Sequence, residues 1–423
     1  MFRSILNTFG TKSLSAVINL LIAILLSQFL GPEGKGIQSL ILTTITFILV
    51  FANLVGGATL VYLVPRHDPS KLVIPSYIWT LITSLIAYVI LRFYPIIDEA
   101  FILHACILSA LNSIASIHIS ILIGKEKIKT ANFIGLVQPV VLIISLFIFF
   151  SYFKTASVTI YITSLYISFI VSLAASLYGF FRITGRFYIG QLRDYINLTI
   201  EMVRYGILNQ VAHVTQMLSF RLSFYVLDHY HGAAAVGVYS NGISLAESIW
   251  LIAKSISLVQ YARISNLDDR QKSAGMTILL IKASLVISIF ILLPLFLLPP
   301  SFYVFLFGEG FEGTRMVIRT LSAGVLVYNF SILLGHYFSG TGRYFVNALA
   351  STIGLAASIT LYLLLIPSYS VSGAGWGTSA SYVITSLILA IWFHKENPGA
   401  FRALMIKGHD LKILKTELQK FRK

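Results

Sequence analysis

Residues 30–41 read "LGPEGKGIQSLI", and residues 231–243 read "HGAAAVGVYSNGI". Gly36-Ile37-Gln38-Ser39 in the first stretch matches Gly237-Val238-Tyr239-Ser240 in the second, at a constant offset of 201 positions. A glycine turn followed by small residues recurs by chance. Here its position gives it weight, because each copy joins the first and second apolar runs of one half of the chain. The pattern reads as a parallel repeat, in which two like halves are related about an axis along the membrane normal and substrate binds between them.

The runs on either side of these turns set the class of protein. Of 423 residues, 57% are hydrophobic and only 11% are charged, against about 25% charged in a soluble domain. Polar groups cannot cover such a chain, so its outer solvent is lipid. A helix that crosses the hydrocarbon needs about 20 mostly apolar residues. Twelve runs qualify: 14–30, 37–64, 73–94, 100–123, 132–153, 157–181, 205–227, 235–262, 276–298, 315–338, 345–366 and 372–393. The second is long enough to tilt, or to kink at Gly56-Gly57. The first lacks a small-x-small cleavage site and reads as a retained helix. The single cysteine, Cys106, excludes an internal disulfide and reads as a small core residue.

The net charge of +15 is spread between apolar runs and not over one folded face, which argues against a nucleic-acid partner. Twelve spans place both termini on one side. That side collects 23 of the 31 basic residues, the opposite side three (Lys35, Arg92 and Lys154), and five lie within spans. Positive charge is retained in the cytoplasm, so the chain reads as a multi-pass protein of the inner (cytoplasmic) membrane with both termini cytoplasmic.

The longest internal connection, about 182–204, divides the spans six and six. The expected domains are therefore an N-terminal six-helix bundle (1–190), a cytoplasmic linker (191–204), a C-terminal six-helix bundle (205–394) and a basic tail (395–423). In the linker, Leu192, Tyr195, Ile196 and Met202 can share one face of a surface helix; a plain linker is the alternative. In the tail, Leu411, Leu414, Leu418 and Phe421 do the same, with lysines elsewhere. That suits a helix on the anionic inner leaflet, with a solvated tail as the alternative. The fold class is all-α integral membrane, about twelve helices in two bundles related by a pseudo-two-fold axis along the membrane normal.

The sequence holds no P-loop, no H-E-x-x-H and no paired-cysteine metal motif. The remaining loops are short, unlike a membrane enzyme with a large external catalytic loop. The chain therefore reads as a transporter with no cofactor, driven by a coupling ion (H+ or Na+) or by its cargo's own gradient.

The charged residues inside spans are the informative ones. Glu247 and Lys254, in "SLAESIWLIAKS" (244–255), are seven apart and share a helical face; so do Arg221 and Asp228. Gln210, His213 and Gln216 recur at a spacing of three, while Arg315 and Arg319 enter span ten four apart. Each charge costs about 2.5–3.5 kcal/mol or more if it faces lipid at the bilayer centre, so these faces look into protein or water. Lys282 lies near a span end and is expected to snorkel. Internal ion pairs that lock the bundle would explain Glu247 with Lys254, and a satisfied core histidine would explain His213. The collective pattern favours a cavity with surplus positive charge, suited to an anion that guanidinium and ammonium groups bind. The first half offers amides instead (Asn19, Gln28, Asn53, Asn112 and Gln138), which can bond sugar hydroxyls or hold helices together.

Several stretches resemble a known family. Residues 204–265 begin with "RYG", run through a helix bearing Arg221, and reach the "GVYS" turn. "FLGPEGKGIQSL" (29–40), "LFGEGFEGT" (306–314), "FSGTGRYFVNA" (338–348) and "IPSYSVSGAGWGTSASYV" (366–383) follow the same pattern over nearly the whole chain. Together they resemble the Wzx-type lipid-linked oligosaccharide flippases and polysaccharide transporters of the multidrug/oligosaccharidyl-lipid/polysaccharide exporter superfamily. The chain departs from that pattern at Ser223, where many members carry an acid, at Ser370, where a glycine is expected, and at Gly375, where an alanine is expected. The resemblance implies a cargo: an undecaprenyl-pyrophosphate-linked repeat unit of O-antigen, capsule or exopolysaccharide, moved to the outer leaflet by alternating access. It also implies polysaccharide polymerase machinery as a partner. The expected binding residues are Arg221, Lys254 and Arg319 as a ladder for the head group, with Glu247, Asp228, Gln216 and His213 beside them. A cation-coupled multidrug exporter of the same superfamily is the alternative, but surplus base suits cationic drugs poorly.

Overall fold

A computed structural model describes residues 2–153, 157–184, 191–264 and 269–399. Among the described residues every regular element is a helix. The first six are α1 (Phe2–Ala52), α2 (Gly57–Leu63), α3 (Pro69–Phe93), α4 (Glu99–Gly124), α5 (Ile128–Phe153) and α6 (Val158–Thr184). The rest are α7 (Leu192–Ser248), α8 (Trp250–Ile264), α9 (Arg270–Leu297), α10 (Pro300–Phe307), α11 (Thr314–Gly340) and α12 (Tyr344–Glu396).

Three helices are far too long for one crossing. α1, α7 and α12 have 51, 57 and 53 residues. At 1.5 Å per residue each would reach about 75–85 Å, more than twice the ~30 Å hydrocarbon layer. Each is broken by one residue with non-helical backbone: Gly31 (φ 66°, ψ −178°), Gly232 (φ 77°, ψ 174°) and Ser370 (φ 49°, ψ −128°). Each therefore supplies two arms. With α3, α4, α5, α6, α9 and α11 these arms make twelve segments, the number of crossings expected; among the described residues eight helices are long and apolar enough to cross a membrane, α7 not among them, and α8 continues the second arm of α7. The arms of α7 are the least apolar, because Gln210, His213, Gln216, Arg221 and Asp228 all lie on the first.

The repeat seen in the sequence has a structural counterpart. Gly31 and Gly232 make the same kink, and they are separated by the same 201 positions. Five residues further on, an added Cβ at Gly36 would stand 1.7 Å from the Ala233 carbonyl oxygen, and one at Gly237 would stand 2.0 Å from that of Pro32. Pro32 and Ala233 are themselves 201 apart, as are Ser39 and Ser240, whose hydroxyls bond at 2.9 Å. Residue i touches j while the counterpart of j touches the counterpart of i, which is how a local two-fold contact is built.

The chain divides into two compact units, Met1–Asn241 with Ser301–Glu312, and Gly242–Pro300 with Gly313–Lys423. Contact thus cuts inside α7, whereas the expected six-and-six division by repeat cuts before it. The first unit packs Val55, Leu60, Leu63, Leu72, Ile117, Phe180, Leu198 and Met202 into a core. Residues 192–204 are the start of α7 itself and not a separate linker helix. Leu198 and Met202 are buried there and Ile196 is exposed, so the inward face differs from the one read in the sequence. The second unit packs Ile278, Ile281, Leu333, Tyr337, Phe338, Ala350, Leu389 and Phe393. Helix faces turned away from these cores carry large apolar side chains such as Leu85, Phe147, Phe290 and Leu364, as a lipid-bathed protein requires.

Lipid offers no hydrophobic drive for helices to associate, so small and polar residues fill the joints. On α6, Ser164, Ser168, Ser172 and Ser176 recur every fourth position and are all buried. One of the departures from the family pattern finds its reason on α12, and another is left strained there. An added Cβ at Gly375 would stand 1.9 Å from Thr320 Oγ1, so the family's alanine would not fit. Ser370 sits where a glycine is expected and holds a left-handed backbone. The predicted amphipathic tail, with Leu411, Leu414, Leu418 and Phe421, lies outside the described residues.

Candidate functional site

In the second unit the chain breaks at Ile249, between α7 and α8. The sequence reading put Glu247 and Lys254 on one face of an unbroken helix; the structure places Glu247 in the last turn of α7 and Lys254 in the second turn of α8. The break carries Trp250 inward. Trp250 is fully buried and its Nε1 donates to the Val325 carbonyl of α11 at 2.9 Å. Tyr328 of α11 and Tyr382 of α12 close around it, with ring centroids 4.6 and 5.1 Å from the indole and 4.8 Å from each other.

This aromatic cluster organises the two charges. Tyr382 Oη donates to Glu247 Oε1 at 2.9 Å, which fixes the half-buried carboxylate. The exposed Lys254 has its ammonium 5.5 Å from the Trp250 ring centroid, within the range of a cation–π contact. The structure thus joins Glu247, Trp250, Tyr328, Tyr382 and Lys254 into one constellation. Arg319 is exposed on α11 with its guanidinium 5.4 Å from the Phe296 ring of α9. Lys282, expected to snorkel, is instead buried at 8% exposure.

In the first unit, α7 carries the other predicted residues. Arg221 is half-buried; its Nη1 donates to the Phe220 carbonyl at 3.2 Å and its guanidinium lies 5.6 Å from the Phe224 ring. Asp228 is half-buried two turns further on, just before the Gly232 kink. His213 and Gln216 are exposed. Gln210 is buried and donates to the Val50 carbonyl of α1, so this amide is helix glue and leaves the exposed stripe. Gln28 is also glue, donating to the Leu306 carbonyl at 3.1 Å.

Sequence reasoning missed three features. Trp250, Tyr328 and Tyr382 looked like ordinary apolar positions, because only their convergence from three helices marks them. A second is a buried Tyr77–His118–Ser176 chain. Ser176 Oγ spends its proton on the Leu173 carbonyl at 2.8 Å. His118 Nδ1 must then donate to Ser176 at 2.8 Å, which leaves Nε2 to accept from Tyr77. The third is Lys35, assigned to an exposed loop by sequence and found buried, with Nζ bonded to Gln38 Oε1 at 2.6 Å and Ser39 Oγ at 3.0 Å.

Comparison with known proteins bears on the whole arrangement. Residues 1–267 match the family described as polysaccharide biosynthesis protein. The capsular polysaccharide biosynthesis protein CapF of Staphylococcus aureus is 30% identical over 176 residues, which are 40% of this chain and 44% of that protein. The chain thus spans less than half the length of that relative. Among solved structures, the lipid II flippase MurJ in an inward closed conformation superposes with a TM-score of 0.75 at 14% identity, covering 97% of this chain and 95% of that one. A multidrug resistance MATE family transporter of the MOP superfamily, inward-facing, gives 0.71 at 15% identity, with 92% and 96% covered. A MOP superfamily transporter from Pyrococcus furiosus, described as having a binding pocket of reverse polarity, gives 0.65 at 13% identity, with 94% and 96% covered. At these identities the likeness is one of fold, that of multi-pass membrane transporters.

Proposed function

The chain belongs to the polysaccharide biosynthesis protein family, and from that premise we propose that it is a flippase for lipid-linked glycans. Its cargo is an undecaprenyl-pyrophosphate-linked oligosaccharide, carried from the cytoplasmic to the outer leaflet of the inner membrane by alternating access. It performs no covalent chemistry. Polymerase machinery receives the cargo, and both termini with the basic tail stay on the cytoplasmic side.

The observation that carries this reading is the surplus of cations on spans: Arg221 on α7, Lys254 on α8 and Arg319 on α11. A pyrophosphate needs cationic partners to cross a low-dielectric layer. The lipid tail can remain in the bilayer, so only the head group and sugars need a polar path. In each unit the cations have acids at hand: Asp228 two turns from Arg221, and Glu247 beside the Trp250–Tyr382 cluster with Lys254. Such acids can hold the ladder when it is empty, and Glu247 can carry a coupling ion, H+ or Na+. His213 and Gln216, exposed on α7, supply hydrogen bonds to the sugar. The likeness to MATE transporters keeps a drug exporter as the second reading, with the surplus of base against it.

The test is reconstitution in vesicles with a fluorescent undecaprenyl-pyrophosphate oligosaccharide, scoring its exposure to an impermeant quencher. Wild type should move it. Lys254→Ala and Arg319→Ala, inserted in equal amounts, should each slow movement about tenfold, equivalent to about 1.4 kcal/mol. Flipping at the wild-type rate in both variants would remove the cation ladder. No glycan movement, with efflux of a cationic dye instead, would favour the exporter.

A further inference from the structure

Lys35 is the charge that the transport reading leaves unused. It lies in the connection between the first two crossings, four residues past the Gly31 kink, and is only 5% exposed. Its hydrogen-bond partners, Gln38 and Ser39, are neutral. Among the described residues no carboxylate pairs with it. Ammonium groups buried without a counter-charge are costly, and burial draws Lys35 down to about 7.

Lys35 borders the two-fold joint through Ser39, the hydroxyl it shares with that joint. Ser39 bonds Ser240 across that joint at 2.9 Å. Gly36 lies against Ala233, Gly237 against Pro32, and Gln38 Nε2 donates to Tyr161 Oη at 3.1 Å. At its centre the joint is glycine, proline, alanine and two serines; parting the arms breaks the Ser39–Ser240 bond, a strip of backbone contact, and the flanking Asn241–Ser27 bond at 2.7 Å and Thr44–Tyr225 bond at 2.9 Å. Each side has a ready hinge, Gly31 on one arm and Gly232 on the other. Titratable or charged groups beside the joint are Tyr161 of α6, Asp228, His229, His231 and Tyr239 of α7, Glu309 of the 301–312 segment and Glu33 in the same turn. Of these, Tyr161 is hydrogen-bonded into the cluster through Gln38.

We propose that Lys35 is a proton-binding site that controls this seam: proton uptake by Nζ from water favours the parted arms, and proton release favours the closed ones. This rests on the transporter reading for its purpose, since a seam between kinked helix pairs matters if the protein must open. Its mechanism stands on the local geometry. With the arms parted, Nζ is solvated and holds its proton up to the ordinary lysine value near 10.4; closed, it holds the proton only up to about 7. Between those values closure expels a proton, so each unit of pH favours closure by up to tenfold. Below about 7 both forms are protonated and the balance stops changing.

Glu33 and Ala234 are exposed and 201 apart, one on each arm. Spin labels on Glu33→Cys and Ala234→Cys, in a Cys106→Ser background of the full chain in nanodiscs, would give the distance across the seam by dipolar EPR. Gly237→Val, which cannot close, sets the long distance. In the labelled parent protein the long-distance population should grow several-fold as pH falls from about 9.5 to about 7, then level off. Lys35→Met should show only the short distance at every pH, and Lys35→Arg a long-distance population that ignores pH. A distance distribution in the labelled parent that pH does not move would overturn the proposal, as would Lys35→Met following the same curve. No glycan is present, so a failure of the flippase reading would leave this result standing, and a pH-blind seam would sink the proposal even where flipping is seen.

Discussion

Tyr382 carries the most information per atom in the second unit. Its ring closes the cluster with Trp250 and Tyr328, and its hydroxyl holds Glu247. Replacing it with phenylalanine keeps the packing and removes the donor to a carboxylate. A hydrogen bond to a charged group is worth about 1.5–3 kcal/mol, and Glu247 is only half-buried, so water can recover part of it. Tyr382→Phe should therefore lower the free energy of unfolding by about 1 kcal/mol, read as an earlier midpoint in detergent, and slow glycan movement more than it lowers stability. Unchanged transport at lower stability would make the Tyr382–Glu247 bond purely structural. Lys35 makes the complementary point. Its sequence neighbours, Gly34 and Gly36, read as an exposed turn, and nothing local announced that Ala233 would lie against Gly36 or that Ser240 would bond Ser39.

At the scale of the element, three long helices owe their two arms to single residues. Gly31 and Gly232 adopt φ near +70° without cost, because glycine has no Cβ to clash. Ser370 adopts φ 49° with ψ −128°, a region that costs a side-chain-bearing residue about 1–3 kcal/mol. Ser370→Gly should accordingly raise the unfolding midpoint, by an amount equivalent to about 1 kcal/mol once the greater freedom of glycine in the unfolded chain is subtracted. A lower midpoint would mean that the serine hydroxyl earns its place by a bond that the strain argument omits. The kinks at 31 and 232 fell within or beside the repeated turn signature and were legible as turns. The break at Ile249 was not, because nothing in Glu-Ser-Ile-Trp-Leu signals an end to a helix; the inward pull of Trp250 toward the Val325 carbonyl is a tertiary effect.

For the whole molecule, the distribution of basic residues, 23 against three, makes a topological prediction. Single cysteines at exposed Glu126 and Lys272 should react with an impermeant maleimide only from the cytoplasmic side, and those at exposed Tyr94 and Glu309 only from the outer side. Any reversal within either pair would mean a miscounted crossing. The sequence by itself determined that this chain lives in a membrane, crosses it about twelve times and repeats a turn after 201 residues. These follow from local properties, namely apolar length, charge between runs and glycine spacing, and each is set by solvent and backbone before any packing. Arg221, Lys254 and Arg319 were legible there as cations within spans. Tertiary structure alone decided which polar side chains are glue and which are presented. Gln210 and Lys282 turned inward while His213 and Gln216 did not, since helical spacing places residues on a face but not that face against a neighbour. Convergence of Trp250, Tyr328 and Tyr382 on Glu247, and the Ser39–Ser240 bond beside Lys35, join residues 135 and 201 positions apart. Contacts at that range arise from packing that no local pattern encodes.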